Sequence, residues 1–382
     1  MLLYFGVSGF LSFKKWQEMF FVPVAGARLK GTKYEYNFHL DMNARPMKSA
    51  LLFGDNASGK TNWLYALRHF LNIINDGLQV GNQEYFNYSS SSIKFKIVVC
   101  NDQGIEYEYF LEYDRKGIIL NEYLKKGDND IFSFSSNTLK IFNDIENREQ
   151  IQKLFSLKST DTMLNKLKDW IDDLVLEFKY LASQILVEAD DPINWAAKFF
   201  PMISIEKNEQ NLIEEYSDEV LDVLRFIDST IHNIYFEEIL TKEGNVKYRW
   251  VVERLDGNES KIFPIANEAQ GVKKMMYLLP SLLQIYKGKT IVIDELDSSI
   301  GTKSLMRIFN SIINSPSNTK GQLIVTSHNL NLLNLDMFHE SQLQIFNKRE
   351  DLGSIVNSIE QYDYRAVKKN LDEIYLKGGF NS

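Results

Sequence analysis

The chain has 382 residues, 44% of them hydrophobic and 25% charged, the balance of a globular protein long enough for two domains or for one domain with an insertion. Its single cysteine, Cys100, excludes a disulfide framework or a thiolate metal cluster within one chain. The apolar start lacks a basic leader and no apolar run reaches membrane-spanning length, so a cytoplasmic protein without a signal peptide is expected. The formal net charge of −8 is uneven: residues 161–240 hold 18 acidic against 6 basic residues, a balance of −12 that leaves about +4 for the remainder.

From Met1 to about Glu146 short apolar or alternating runs ("LLYFGV", "KYEYNFHL", "SALLF", "SIKFKIVVC", "IEYEYFLEY") predict strands, interrupted by one helix over roughly Lys60–Ile74. The pattern then changes. Leu164, Leu167, Ile171, Leu174, Phe178, Leu181 and Ile185 recur at spacings of three and four, as do Val220, Leu224, Ile227, Ile231 and Ile234. These spacings predict two amphipathic helices, with the turn residues Asp190, Asp191 and Pro192 between them. A helix over Asp161–Glu188 would be about 40 Å long; a short coiled-coil arm and a plain helical subdomain both fit. After Lys242 strands return, and from Gly271 helix and strand alternate ("KTIVIDEL", "GQLIVTSH"), the mark of a parallel sheet packed with helices. The expected division is therefore 1–146, an acidic helical insertion over 147–240, and 241–382.

"LLFGDNASGKTN" holds Gly54-x-x-x-x-Gly59-Lys60-Thr61, the P-loop spacing, between a predicted strand and a predicted helix. Gly54 and Gly59 let the backbone through Asp55, Asn56, Ala57 and Ser58 curl with its N–H groups inward, toward phosphate. Lys60 brings charge to the β- and γ-phosphates, Thr61 offers a hydroxyl to Mg²⁺, and Asn62 completes the nucleotide-binding set. "TIVIDELD" is an apolar strand ending in Asp294, placed to hold Mg²⁺ opposite Thr61, and Glu295, placed to polarise the attacking water. "IVTSH" ends a further strand on His328, within reach of the γ-phosphate. All three strand ends fall at one carboxyl edge, where open α/β sheets bind ligands.

With "GDNASGKT", "IVIDELDSS" and "IVTSHN" in this order, the chain resembles the ABC-type ATPases related to RecF and the SMC proteins. It looks closest to the single-chain AAA-type ATPases of the RloA/AbiL group of phage-defence and abortive-infection systems. "LLYFGVSGFLSFKK" and "IYLKGGF" are similar to that group's opening and closing segments, and the likeness covers roughly residues 1–125 and 215–382. The resemblance implies an α/β fold: an ABC-type P-loop ATPase head with an antiparallel β subdomain and the inserted helical subdomain. It implies ATP and Mg²⁺ as cofactors, and a homodimer or higher oligomer clasping ATP between two copies. "NEAQGVKKM" takes the place of the signature motif that completes the partner's site, through Glu268, Ala269, Gln270, Gly271 and Lys273. The usual motif is similar to Ser-Glu/Asp-Gly-Thr-Lys, so Ala269 stands where a hydroxyl is expected, and weakened closure or turnover follows. Asp297 and Ser298 correspond to the loop that touches the second copy. The glutamine such proteins carry near the insertion is open among Gln79, Gln83 and Gln103.

The function expected is a Mg²⁺-ATP-dependent sensor or switch of a bacterial antiviral system that controls a separate effector, a toprim-like nuclease or another toxin. Only 54 residues follow His328, few for an effector domain, and His39, His69, His232 and His339 are scattered. The alternatives are a RecF/SMC-like DNA-repair ATPase and a weakly hydrolysing ATP-binding scaffold. An arm at −12 repels phosphates, so DNA binding is not favoured, and the acidic insertion suits a protein partner. A transporter ATPase fits poorly, and no membrane association is expected.

Overall fold

The computed structural model describes residues 1–79, 83–188, 204–241, 244–257, 259–297, 300–362 and 371–380. Six consecutive buried residues make up β3 (Ser49–Gly54), as a parallel strand covered on both faces requires. It is the third strand of a six-stranded sheet ordered β17-β16-β3-β15-β14-β9. There β9 (Ile185–Glu188), β14 (Thr290–Ile293), β15 (Gln322–Ser327) and β16 (Leu343–Lys348) run parallel with β3, and β17 (Ser354–Ser358) is antiparallel at one edge.

The period of two divides the core. Ala50, Leu52, Val292 and Ile324 face one hydrophobic layer, while Leu51, Phe53, Ile291, Ile293, Leu323 and Val325 face the other. The first layer is filled by α1 (Lys60–Asp76), which is sandwiched between this sheet and a seven-stranded antiparallel sheet. That second sheet is ordered β2-β1-β4-β5-β6-β7-β8, from β1 (Leu2–Ser8), β2 (Gln17–Phe20), β4 (Ser92–Cys100), β5 (Glu106–Asp114), β6 (Ile119–Lys126), β7 (Asn129–Ser135) and β8 (Thr138–Ile141). Aromatic rings bind helix to sheet: Phe70 stacks on Phe95 at 4.8 Å and on Tyr109 at 5.5 Å, and Trp63 meets Phe5 edge-on at 5.2 Å.

The chain between 147 and 240 departs from expectation. It holds α2 (Arg148–Phe155), α3 (Met163–Lys166), α4 (Asp172–Ser183), β9, β10 (Ser204–Ile205), α5 (Lys207–Glu215), α6 (Ser217–Ile227) and β11 (Ile231–Leu240). The continuous helix expected over Asp161–Glu188 is thus broken after Lys166, and its last turn is the edge strand β9. Leu164, Leu167, Ile171, Phe178, Leu181 and Ile185 do form one buried set, but they are buried in the layer around α1 rather than against a coiled-coil partner. "ILVE" is a short, mainly apolar run, which periodicity alone cannot separate from a buried helical turn. Ile231 and Ile234 likewise lie on a strand. The expected turn residues Asp190, Asp191 and Pro192 lie outside the described residues.

On the other face α7 (Gln270–Leu283) and α8 (Thr302–Ile308) cover the parallel sheet with Val272, Met275, Leu279, Leu282, Leu305 and Ile308. α5 and α6 pack beside them. A third sheet joins this side: β12 (Val246–Asp256) pairs with β11 along one edge and with β10 and β13 (Glu259–Pro264) along the other. The short α9 (Leu371–Leu376) buries Leu371 in the same layer. No helix among the described residues is long and apolar enough to cross a membrane.

Candidate active site

β3 ends at Gly54 and the chain turns through Asp55–Gly59 before α1 starts at Lys60. Two residues of the turn are left-handed, Ala57 at φ 63° and Gly59 at φ 113°. A Cβ on Gly59 would also lie 2.3 Å from Ser354 Oγ, and one on Gly54 would lie 2.6 Å from Phe346 O. Gly54 is therefore required by the close approach of the Phe346 backbone, and Gly59 by its left-handed φ. Such a turn at a helix start presents free N–H groups and the positive end of the helix dipole to an anion.

Lys60 folds back over this turn. Its Nζ donates to Gly54 O at 2.7 Å and Asp55 O at 3.1 Å, and lies 3.4 Å from His328 Nδ1. Burial pushes its pKa down to about 8, against the pull of Asp294, Glu295, Asp55 and Asp297. Around the turn, Tyr375 OH donates to Asp55 Oδ1 at 2.8 Å and Asn62 Nδ2 donates to Ser12 Oγ at 2.9 Å, while Asn56 and Ala57 are exposed.

Thr61 Oγ1 donates to Asp294 Oδ2 at 2.9 Å, so the two groups singled out for a cation do meet. The other carboxylate oxygen, Oδ1, accepts from Thr326 Oγ1, and that hydroxyl accepts the Glu295 N–H at 2.7 Å. Thr326 escaped the sequence reading; its signal was a buried hydroxyl on "IVTSH", two residues before His328. Glu295 is itself left-handed, at φ 48°, a conformation that costs about 1–3 kcal/mol and persists only where neighbours enforce it. Its Oε1 lies 3.6 Å from His328 Nε2. His328 thus stands between Lys60 and Glu295, one ring nitrogen toward each.

The residues present fit a Mg²⁺–phosphate group. Thr61 and Asp294 supply the hard oxygens that Mg²⁺ prefers. The Ser58 hydroxyl is buried inside the turn with no hydrogen-bond partner, as expected of a donor reserved for a phosphate oxygen.

The expected signature segment is placed differently, residue by residue. Ala269 caps α7 without a side-chain hydrogen bond, and Ala269 and Gln270 are exposed, with Gly271 and Lys273 half-buried behind them. Glu268 does not join them. It is buried, and its two oxygens accept from Arg254 Nη1 and Nη2 at 2.6 and 2.7 Å; Arg254 Nη2 also donates to Asp228 at 2.7 Å. A buried carboxylate is retained only when paired, and Glu268 finds its partner within its own chain. Lys274, one residue beyond the expected Lys273, reaches the site and donates to Glu295 O at 3.0 Å. Asp297, expected at the contact between copies, accepts the His328 N–H at 3.1 Å, and Ser298 lies outside the described residues. Gln79, Gln83 and Gln103 are exposed and are not among the side chains bonded at this edge. The position beside Asp294 belongs to Glu188, the end of β9, whose carbonyl accepts the Asp294 N–H at 3.0 Å. A cleft of about 710 Å³ between residues 16–25 and β17 shares no residue with this site.

A family model described as "AAA domain, putative AbiEii toxin, Type IV TA system" matches residues 49–334, well over half of the chain. The chain belongs to this AAA-domain family. The matched span runs from the start of β3 past His328, so it takes in the phosphate turn, Asp294, Glu295 and the histidine. Membership in the AAA-domain family makes it a P-loop protein of an ATPase family. Among solved structures it is similar to an SMC head bound to the C-terminal winged-helix domain of ScpA, at 14% identity, 94% and 97% coverage of the two chains and a TM-score of 0.48. It is also similar to the SMC head domain from Thermotoga maritima, at 13%, 94% and 98%, and 0.44. A third is the Smc head with an extended coiled coil bound to the C-terminal domain of ScpA derived from Pyrococcus furiosus, at 14%, 98% and 99%, and 0.45. No curated protein matches the chain.

Proposed function

We propose that this AAA-domain protein is a Mg²⁺-dependent ATPase that acts as the switch of a bacterial abortive-infection system of the RloA/AbiL kind, working through a separate effector protein in the cytoplasm. The carrying observation is the convergence of Lys60, Thr61, Asp294, Glu295 and His328 at one sheet edge. Lys60 binds the β- and γ-phosphates once it turns from Gly54 O. Thr61 and Asp294 would hold Mg²⁺, whose charge would offset that of the phosphate oxygens. Glu295 accepts the proton of the attacking water, and His328, between Glu295 and Lys60, orients the γ-phosphate. The start of α7, with Ala269 and Gln270 exposed and Gly271 behind them, faces the nucleotide of a second copy in a homodimer or higher homo-oligomer. The family description names a toxin–antitoxin system, which supports a protein partner, and the acidic stretch 161–240 supports a protein rather than DNA in that role.

Steady-state turnover of wild type against Glu295→Gln tests the enzyme half. ATP binding should survive and the rate should fall by about 10²–10⁴. Equal, negligible rates with binding retained would leave the second reading, an ATP-binding scaffold, which Ala269 favours by removing a hydroxyl. For the switch half, a phage challenge of cells carrying the chain and its neighbouring reading frame should show protection that Lys60→Ala abolishes. Protection indifferent to Lys60 would exclude nucleotide control.

A further inference from the structure

The helix that starts at exposed Ala269 also sends one charged side chain inward. Lys274 is 2% exposed, on a helix whose other inward side chains at this level are Val272, Met275 and Met276. A methionine there would cover the core without the cost of burying an ammonium. The charge is kept, and its Nζ donates to the carbonyl of Glu295 at 3.0 Å. The N–H of the same residue is held by Thr326 Oγ1 at 2.7 Å. Both main-chain polar groups of Glu295 are therefore pinned, one from α7 and one from β15, on either side of the left-handed Cα that carries the carboxylate. Lys274 also faces the charges of Asp297 and Glu295, and Asp297 in turn holds the His328 N–H. One ammonium thus bears on both residues that would act at the γ-phosphate.

We propose that Lys274 is a positioning residue for Glu295, holding its main chain in the left-handed turn from the helix whose first residues are exposed to a second copy. A displacement of that helix, as on engagement of a partner, then re-aims the Glu295 carboxylate. Closure at one surface and hydrolysis at the other are joined through a side chain of a single chain. This rests on the ATPase reading of the site, and the test separates the two.

In the full chain, Lys274→Met should lower kcat about tenfold or more, as small misplacements of a reacting group do. KM and ATP affinity should stay within about twofold of wild type, and amide exchange at residues 294–297 should quicken. Lys274→Arg, which restores a buried donor, should recover part of the rate and the protection. Wild-type kcat in Lys274→Met, or a loss of affinity in proportion to rate, overturns the positioning role. If wild type itself does not turn over, the ATPase reading fails, and the exchange measurement alone decides Lys274: unchanged protection at 294–297 overturns it. Should Lys274→Met not fold, Lys274→Gln takes its place under the same criteria.

Discussion

Two surfaces of this chain would meet ATP, and they differ in how much of their structure one chain supplies. At the phosphate turn Lys60 and Ser58 are buried, Asp294 after β14 accepts from Thr61 on α1 and from Thr326 on β15, and Asp297 accepts the His328 N–H. At the start of α7 the first two residues, Ala269 and Gln270, are exposed, no side chain caps the helix, and the one acid beside it is turned inward to Arg254. A preorganised site can hold a polyanion without help; an exposed, uncapped helix start needs something outside the chain to meet it. Lys60→Ala should therefore give the largest effect. Each hydrogen bond to a charged group is worth about 1.5–3 kcal/mol, so ATP affinity should fall by about two orders of magnitude or more in an equilibrium titration. Affinity retained by that variant would mean that the turn is not where the nucleotide sits.

The second surface can be loosened without touching the first. Arg254→Met leaves Glu268 buried with no guanidinium, and breaking a buried pair from one side costs about 3 kcal/mol or more. Arg254 keeps 19% of its side-chain surface and Glu268 only 3%, so the lower end of that range is expected as a drop in Tm. ATP affinity of the isolated chain should not change. A variant that lost affinity with its stability would show that the two surfaces are not separable.

The first surface was the legible one, for a physical reason. A phosphate turn demands fixed residue types at fixed spacing, so Gly54, Gly59, Lys60, Thr61 and the acids ending β14 could be read from the sequence and meet as expected. Thr326 and Lys274 could not, because a hydroxyl on a buried strand and a lysine on a helix have many uses that spacing does not distinguish. The pairing of Glu268 was unreadable for the same reason: nothing at an acid before a helix start announces the arginine, fourteen residues earlier on β12, that folds against it. The fold was legible where alternation of helix and strand was regular. It failed at Ile185–Glu188, where three apolar residues and a glutamate followed a helical stripe but paired with β14 instead.

Protonation offers a smaller test of the buried half. The amine of Lys60 is held near 8 by burial against an ordinary value of 10.5. Between those values the unfolded chain binds more protons than the folded one, so this group makes stability rise with pH across that window and adds nothing further above it. Lys60→Met should flatten the rise in urea midpoints measured from pH 8 to 10.5. Phosphates beside the amine favour its charged form, so ATP binding near pH 9 should take up protons, visible as heats that depend on buffer ionisation. Binding without proton uptake there would place the phosphates away from Lys60.

The smallest change addresses the exposed half directly. Ala269 is in an extended conformation, φ −62° and ψ 151°, at the N-cap of α7, where it makes no side-chain hydrogen bond. A serine there would accept a backbone N–H of the first turn, for about 0.5–2 kcal/mol of stability. Were capping the only consequence, Ala269→Ser would raise Tm slightly and leave turnover per chain independent of protein concentration. If the position meets a second copy's γ-phosphate, the hydroxyl adds a contact that exists only between copies. Turnover then rises with protein concentration more steeply than in wild type, while the affinity of dilute, monomeric chain for ATP stays the same. That concentration dependence, absent from a purely local cap, distinguishes a helix start that is merely uncapped from one that is waiting for a partner.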